Sequence, residues 1–196
     1  DLRGIDVALL YQRDLFKLLS SRSISIPPLK QYRPTRDLLH VSGLLLAGDT
    51  LDVFVCHFPS RSGGAKESES YRLYAAHILR MEVDSIMSIR SLPQVIIMGD
   101  FNDYPTNQSI QKILEAEAPP VMPNDLASTT GSTNFSTVDP SSLKLYHLLA
   151  RKAKSKDFGS YKYRGEWGLL DHLIVSGTLL NQSNHFFTSE EKANVC

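Results

Sequence analysis

The chain has 196 residues, 42% of them hydrophobic and 21% charged, which is enough for a single domain over residues 1–196 with a real core. Twenty-one Lys and Arg balance twenty-one Asp and Glu, so no global basic field draws in nucleic acid and any anion must be recognised locally. Two distant cysteines, Cys56 and Cys196, exclude a disulfide framework, and no apolar run reaches the ~18 residues of a membrane span.

In chain order, residues 5–11, I-D-V-A-L-L-Y, read as a buried strand. A turn at 12–16 leads into residues 17–26, which alternate polar and apolar, so a hairpin with one wet face is expected. Residues 37–47 form the next expected strand. Gly48-Asp49 is the turn, and residues 51–58, L-D-V-F-V-C-H-F, return. Cys56 in that run reads as a small buried hydrophobe. After a glycine-containing loop at 60–65, Tyr71, Tyr74, Ala75, Ile78, Leu79, Val83, Ile86 and Met87 keep the i, i+3, i+4 spacing. They predict a long helix over 66–90, with Glu67 and Glu69 near its start and Arg90 at its end, as the dipole prefers. Pro93 breaks it, and residues 95–98 are a strand. A helix over 107–116, a surface loop over 123–142, a short helix over 143–153 and a strand over 169–175 follow. The tail from residue 181 has little periodicity and is expected to fray. This succession predicts α/β layers around a substantially antiparallel sheet.

The chain is organised around residues 95–103, V-I-I-M-G-D-F-N-D. A buried strand runs into a glycine and then presents Asp100, Asn102 and Asp103 where it meets solvent. Such a tip can orient water, hold a divalent cation or face a phosphoryl group; it can equally be a plain Asx turn. C-H-F-P-S-R places His57 at a strand end and Arg61 four residues later. An imidazole can share a proton with a phosphate oxygen, and a guanidinium can grip two such oxygens. A structural histidine and a solvated arginine would give the same letters. Asp171, in L-L-D-H-L-I-V, reads as a carboxylate inside an apolar strand, a setting that calls for a partner such as a histidine. His172 alternates with it, points to the other face and reads as structural. Arg3 and Arg36 each precede a strand and can reach a phosphate or simply be solvated. Tyr161, Tyr163 and Trp167 can wall a base or a lipid, or belong to the core.

Four blocks in one order, R-G-I-D-V-A-L-L-Y, C-H-F-P-S-R-S-G-G, I-I-M-G-D-F-N-D and L-L-D-H-L-I-V-S, resemble the endonuclease/exonuclease/phosphatase superfamily, in its deoxyribonuclease-like, Bacteroidetes-type branch. The resemblance implies a four-layered α/β/β/α sandwich and divalent-metal-dependent hydrolysis of phosphate esters. The metal would be Mg2+, or Mn2+ or Ca2+ in its place. The substrate class it implies is a phosphodiester, nucleic acid among the candidates. A lipid or sugar phosphatase and a non-catalytic binding module on the same fold are the alternatives. Asp100 is similar to the water-aligning aspartate and Asn102 to the asparagine on phosphate or metal-bound water; these two are also the implied metal ligands. His57 is similar to a leaving-group histidine. Asp171 is similar to an aspartate that orients a catalytic histidine. Arg36 is similar to a phosphate-contacting arginine just before a strand, and Tyr161 and Tyr163 match substrate-facing aromatics more loosely; Arg61 and Arg3 as phosphate contacts and Trp167 as a substrate-facing aromatic rest on the residue chemistry above. The family's upstream metal-binding glutamate and its terminal Ser-Asp-His are absent from the sequence. The chain is therefore expected to be a fragment, incomplete at both ends, with any targeting segment outside it and its compartment, cytoplasmic or exported, left open. No protein partner is implied.

Overall fold

The computed structural model describes residues 6–29, 34–120 and 140–195. Its elements are β1 (Phe16–Ile24), β2 (Leu38–Leu45), β3 (Thr50–His57), α1 (Glu69–Ile89), β4 (Gln94–Asp100), β5 (Leu145–His147), β6 (Tyr161–Tyr163), β7 (Glu166–Gly168) and β8 (Asp171–Ser176). Six strands form one mixed sheet in the order β1-β2-β3-β4-β8-β5, and β6 with β7 makes a separate ribbon. β2 and β3 are joined by the expected tight turn, with Gly48 at φ +91°. β3 and β4 are parallel, and the crossover between them is α1. β8 then inserts antiparallel between β4 and β5.

Alternation along the strands sorts the core into two faces. Phe54, Cys56, Ile97 and Ile174 point one way and meet Ala75, Ala76, Leu79, Val83 and Ile86 of α1. A fully buried aliphatic such as Leu79 contributes roughly 1.5–3 kcal/mol to this contact. Cys56 is buried there as expected, and burial pushes its thiol far up, so it is inert. Val53, Val55 and Val175 point the other way, with Ile96, Met98 and Leu173 packed beside them. The described residues thus supply one helical layer and one six-stranded sheet of a mixed α/β fold.

Several sequence expectations are corrected. Residues 6–11 join no strand among the described residues; Val7 and Leu9 pack, partly buried, on the second cluster, so their alternation serves side-chain packing. β1 pairs with β2 instead and, as an edge strand, is wet on both faces. The helix expected over 107–116 shrinks to one wide turn, Ser109–Ile113, closed by Glu115 in the left-handed region at φ +52°. The helix expected over 143–153 is β5 plus turns, because all three β5 residues are buried against β8. Most of the 123–142 loop lies outside the described residues. The tail docks rather than frays: Ala193 is buried, and Arg151 pairs with Glu190. Arg90 caps α1 but serves another partner, gripping buried Asp52 at 2.9 and 3.1 Å while His40 lies 3.0 Å from the same carboxylate. Burial raises Asp52, but these bonds, with one from Ser42, outweigh it and hold the carboxyl below its usual range.

Candidate active site

On the face away from α1, β3, β4 and β8 stack their residues in register. Val53, Ile96 and Val175 form one row, and Val55, Met98 and Leu173 the next. The row after that, at the sheet's end, is His57, Asp100 and Asp171. Two apolar rows thus lead up to a polar one, and three strand tips bring together residues far apart in sequence. His57 Nε2 lies 3.6 Å from Asp100 Oδ2, ion-pair range when the imidazole is protonated. One expectation is corrected here. Asp171 is not a carboxylate inside an apolar strand; it is exposed at the first position of β8, needs no partner to escape burial, and faces Asp100.

Asp100 gains its orientation from the backbone around it. Gly99 has φ +128°, and a Cβ there would lie 2.0 Å from the Cys56 carbonyl oxygen, so only glycine lets β4 run this close to β3. Phe58 N–H donates to the Asp100 carbonyl and Phe101 N–H to that of Leu170, each at 2.8 Å. Asn102 then enters the left-handed region at φ +49°. Its N–H donates to Asp100 Oδ1 at 2.8 Å, and its side-chain Nδ2 donates to the Phe58 carbonyl at 3.1 Å. Burial raises the Asp100 pKa, and the Asp171 charge adds to it; the Asn102 N–H, His57 and Arg36 act in the opposite sense without cancelling it.

Arg36 is buried, and its field reaches Asp100, so it belongs to this group. Arg61 lies over the Tyr104 ring at 4.9 Å, and its buried Nε meets no hydrogen-bond partner among the described residues. Arg3 lies outside the described residues. Ser160 Oγ accepts from the N–H groups of Leu170 and Asp171, which ties the β6–β7 ribbon to the start of β8. On that ribbon Tyr161 and Tyr163 are exposed and stack in parallel, centroids 6.1 Å apart. Lys162 covers Trp167, and Arg164 covers Tyr163. A cavity of about 780 Å³, lined by Tyr104, Phe158, Trp167, Arg80, Lys144 and Lys154, lies beside the ribbon, but none of His57, Asp100, Asn102 or Asp171 lines it.

No group of three or more His, Cys, Asp or Glu among the described residues is arranged to hold a metal ion. The donors present still suit magnesium, which keeps most of its water and takes one or two protein carboxylates plus substrate oxygens. Asp100 and Asp171 are register neighbours whose mutual repulsion a cation would relieve, and the Asn102 amide oxygen remains as a neutral donor.

Behind this row one expectation is corrected: Asp103 does not meet solvent with Asp100 and Asn102 but joins His172, already read as structural, in a buried support with Arg72, Ser109 and His147, for which no local pattern speaks. Asp103 faces away from it, fully buried, 2.7 Å from Arg72 Nε of α1. That contact is an ion pair, its N–H lying off the hydrogen-bond line. Ser109 Oγ donates to Asp103 Oδ2 at 2.7 Å, and Arg72 donates to Ser68 Oγ and the Ala65 carbonyl. His172, on the face opposite Asp171 as alternation requires, lies 2.8 Å from the Asp103 carbonyl and 2.5 Å from His147. Burial, then the neighbouring ring, pushes His147 down to about 3; burial pushes His172 down to about 4, against the pull of Asp103 and Asp171. The unfolded chain protonates both rings near pH 6.5 and the folded chain only well below. Stability is therefore full above about 6.5 and is lost as pH falls from there toward 4. At about 1.4 kcal/mol per tenfold change in proton affinity, His172 alone is expected to remove roughly 3 kcal/mol. Urea unfolding between pH 7 and 5, above the carboxylate range, should show about 2 kcal/mol of that loss from His172; a flat profile would contradict it.

The fold matches solved structures of low identity. The human Nocturnin catalytic domain, solved with bound sulfate, matches with TM-score 0.55 and 18% identity over 85% of this chain and 50% of that one. Truncated Caenorhabditis elegans TDP2 matches with TM-score 0.53 and 13% identity over 83% of this chain and 54% of that one. An endonuclease/exonuclease/phosphatase family protein from Bacteroides thetaiotaomicron matches with TM-score 0.51 and 14% identity over 85% and 52%. The chain spans about half the length of these structures. No curated protein sequence matches it. No helix among the described residues is long and apolar enough to cross a membrane. A family model matches residues 1–196 from end to end, and the chain belongs to the Endonuclease/Exonuclease/phosphatase family.

Proposed function

We propose that this chain carries the water-aligning and phosphate-holding part of a divalent-metal-dependent phosphodiesterase whose substrate is a nucleic acid strand. The observation that carries the reading is the row His57–Asp100–Asp171 with Asn102 locked beside it. Hydrolysis of a phosphodiester needs an in-line water, relief of charge on the phosphoryl oxygens and help for the leaving oxygen. Asp100, half-buried and of raised basicity, accepts the proton of the attacking water. Asn102 and the guanidinium groups of Arg36 and Arg61 hold phosphoryl oxygens. His57 serves the leaving oxygen. Asp100, Asn102 and Asp171 would hold the metal, which supplies Lewis acidity toward the phosphoryl oxygens. A strand of nucleotides is favoured over a lipid by the β6–β7 ribbon, where exposed Tyr161 and Tyr163 alternate with Lys162 and Arg164, stacking surface beside charge. Danio rerio TDP2 has been solved with a single-strand DNA product on the same fold.

The intact protein should cleave bis(p-nitrophenyl) phosphate and one of plasmid DNA or an abasic duplex when magnesium is added, and EDTA should stop it. Asp171→Ala is expected to abolish turnover while circular dichroism stays unchanged, since Asp171 is exposed and supports no packing. Wild-type rates in that variant would remove Asp171 from the site, and cleavage of sphingomyelin in preference to DNA would replace the nucleic-acid reading with a lipid one.

A further inference from the structure

We infer that His172 positions the Asp100–Asn102 loop from behind, at the end of a one-way hydrogen-bond relay in which His147 fixes the His172 tautomer, which makes His172 a positioning residue for the reaction proposed above. The inference rests on that reading for its catalytic consequence and on geometry alone for the relay. Asn102 holds a left-handed backbone, which costs a non-glycine residue free energy unless its surroundings over-determine it. From the front, Asp100 Oδ1 and the Phe58 carbonyl fix it. From behind, every constraint passes through the residues on either side of it. Phe101 packs on Phe58 and on the His172 ring, with centroids 4.5 and 5.0 Å apart. Asp103 is clamped by Arg72 and Ser109 through its side chain and by His172 through its carbonyl.

The ring protons are assigned by their partners. Leu149 N–H donates to His147 Nδ1 at 3.1 Å, so the His147 proton is on Nε2. It is donated to His172 Nδ1, so the His172 proton is on Nε2 as well, and that proton goes to the Asp103 carbonyl. Each donor and acceptor is used once and the chain ends at the loop. Both rings are almost wholly buried, so neither exchanges its partner for water. The same strand residue pair therefore serves two faces: Asp171 meets the phosphate side, and His172 steadies the loop whose other end is Asp100.

Two amides separate this role from mere packing. A Gln side chain carries its N–H where His172 Nε2 stands, and an Asn side chain reaches only as far as Nδ1. His172→Gln keeps the bond to Asp103, whereas His172→Asn keeps only the one to His147. Amide hydrogen exchange in wild type is expected to protect Asn102 N–H. Protection should stay within about threefold in His172→Gln and fall by tenfold or more in His172→Asn, on the scale expected for one lost buried hydrogen bond. With bis(p-nitrophenyl) phosphate and magnesium, kcat should follow the same order while KM changes little. Equal protection of Asn102 in the two variants overturns the relay, whatever the turnover. A wild-type chain inert toward the phosphodiester but with the Gln/Asn split intact would instead overturn the hydrolytic reading and leave the relay standing. Should His172→Asn fail to fold, His147→Leu against His147→Gln gives the same comparison one bond further from the loop.

Discussion

Asp100→Asn is expected to lower phosphodiester turnover by a factor on the order of 10² to 10⁴, the range for loss of a positioned general base. The substitution isolates basicity. An Asn amide oxygen can still accept the Asn102 N–H that Asp100 Oδ1 accepts at 2.8 Å, so the left-handed loop has no reason to move. The pH profile makes the test sharper. The carboxylate is the active form, and burial, with Asp171 adding to it, raises the Asp100 pKa. Activity should therefore fall with acid at a pH above the ordinary aspartate range. Asp171→Asn takes away a like charge and should move whatever rate survives to a lower acid limb. Arg36→Ala takes away an opposing charge and should move the limb upward. Turnover of Asp100→Asn within a few-fold of wild type, with the limb unmoved, would remove Asp100 as the base.

The site was legible in the sequence to the extent that it lies in strand tips. His57, Asp100 and Asp171 each end or begin an apolar run, and a sheet whose central strands are buried on both faces must bring such tips to one edge. Asp171 reads as interior because L-L-D-H-L-I-V is apolar on both sides of it. Yet β8 starts at Asp171, with Leu169 and Leu170 before it outside the strand, so the carboxylate stands at an end and not in a middle. The short elements failed for a related reason. Residues 107–116 and 143–153 carry helix-forming letters, but Glu115 in the left-handed region and the pull of β8 on Leu145–His147 override local propensity. Of the support behind the site, strand alternation gives only the side of the sheet on which His172 lies; its partners follow no local pattern. Arg72, Asp103, Ser109, His147 and His172 come from five segments, and their partnership exists only once α1 has crossed back over the sheet. The one available clue was Ser68 and Arg72 at helical i, i+4 spacing, which places a hydroxyl beside a guanidinium but says nothing of Asp103.

That support carries the largest stability effect. Asp103→Ala leaves the Arg72 guanidinium, 1% exposed at its side chain, without its counter-charge in the middle of the core. Breaking a buried pair from one side costs about 3–5 kcal/mol, because the remaining ion has lost the solvent and gained nothing. At roughly 2–4 °C per kcal/mol for a chain of this size, the melting temperature should drop by about 10 °C. Arg72 keeps its bonds to Ser68 and to the Ala65 carbonyl, so partial satisfaction sets the cost toward the lower end of the range. Replacing both partners with apolar residues of similar volume removes the stranded charge. Arg72→Met with Asp103→Leu should therefore be less destabilised than Asp103→Ala alone, a reversal that loss of packing would not produce. Ser109→Ala deletes only one hydrogen bond to the carboxylate and should cost about 1 kcal/mol. Urea denaturation of the three variants gives the order directly. If Asp103→Ala loses under 1 kcal/mol, or the apolar pair proves worse than the single variant, the buried ion pair is not what holds the loop to the helix.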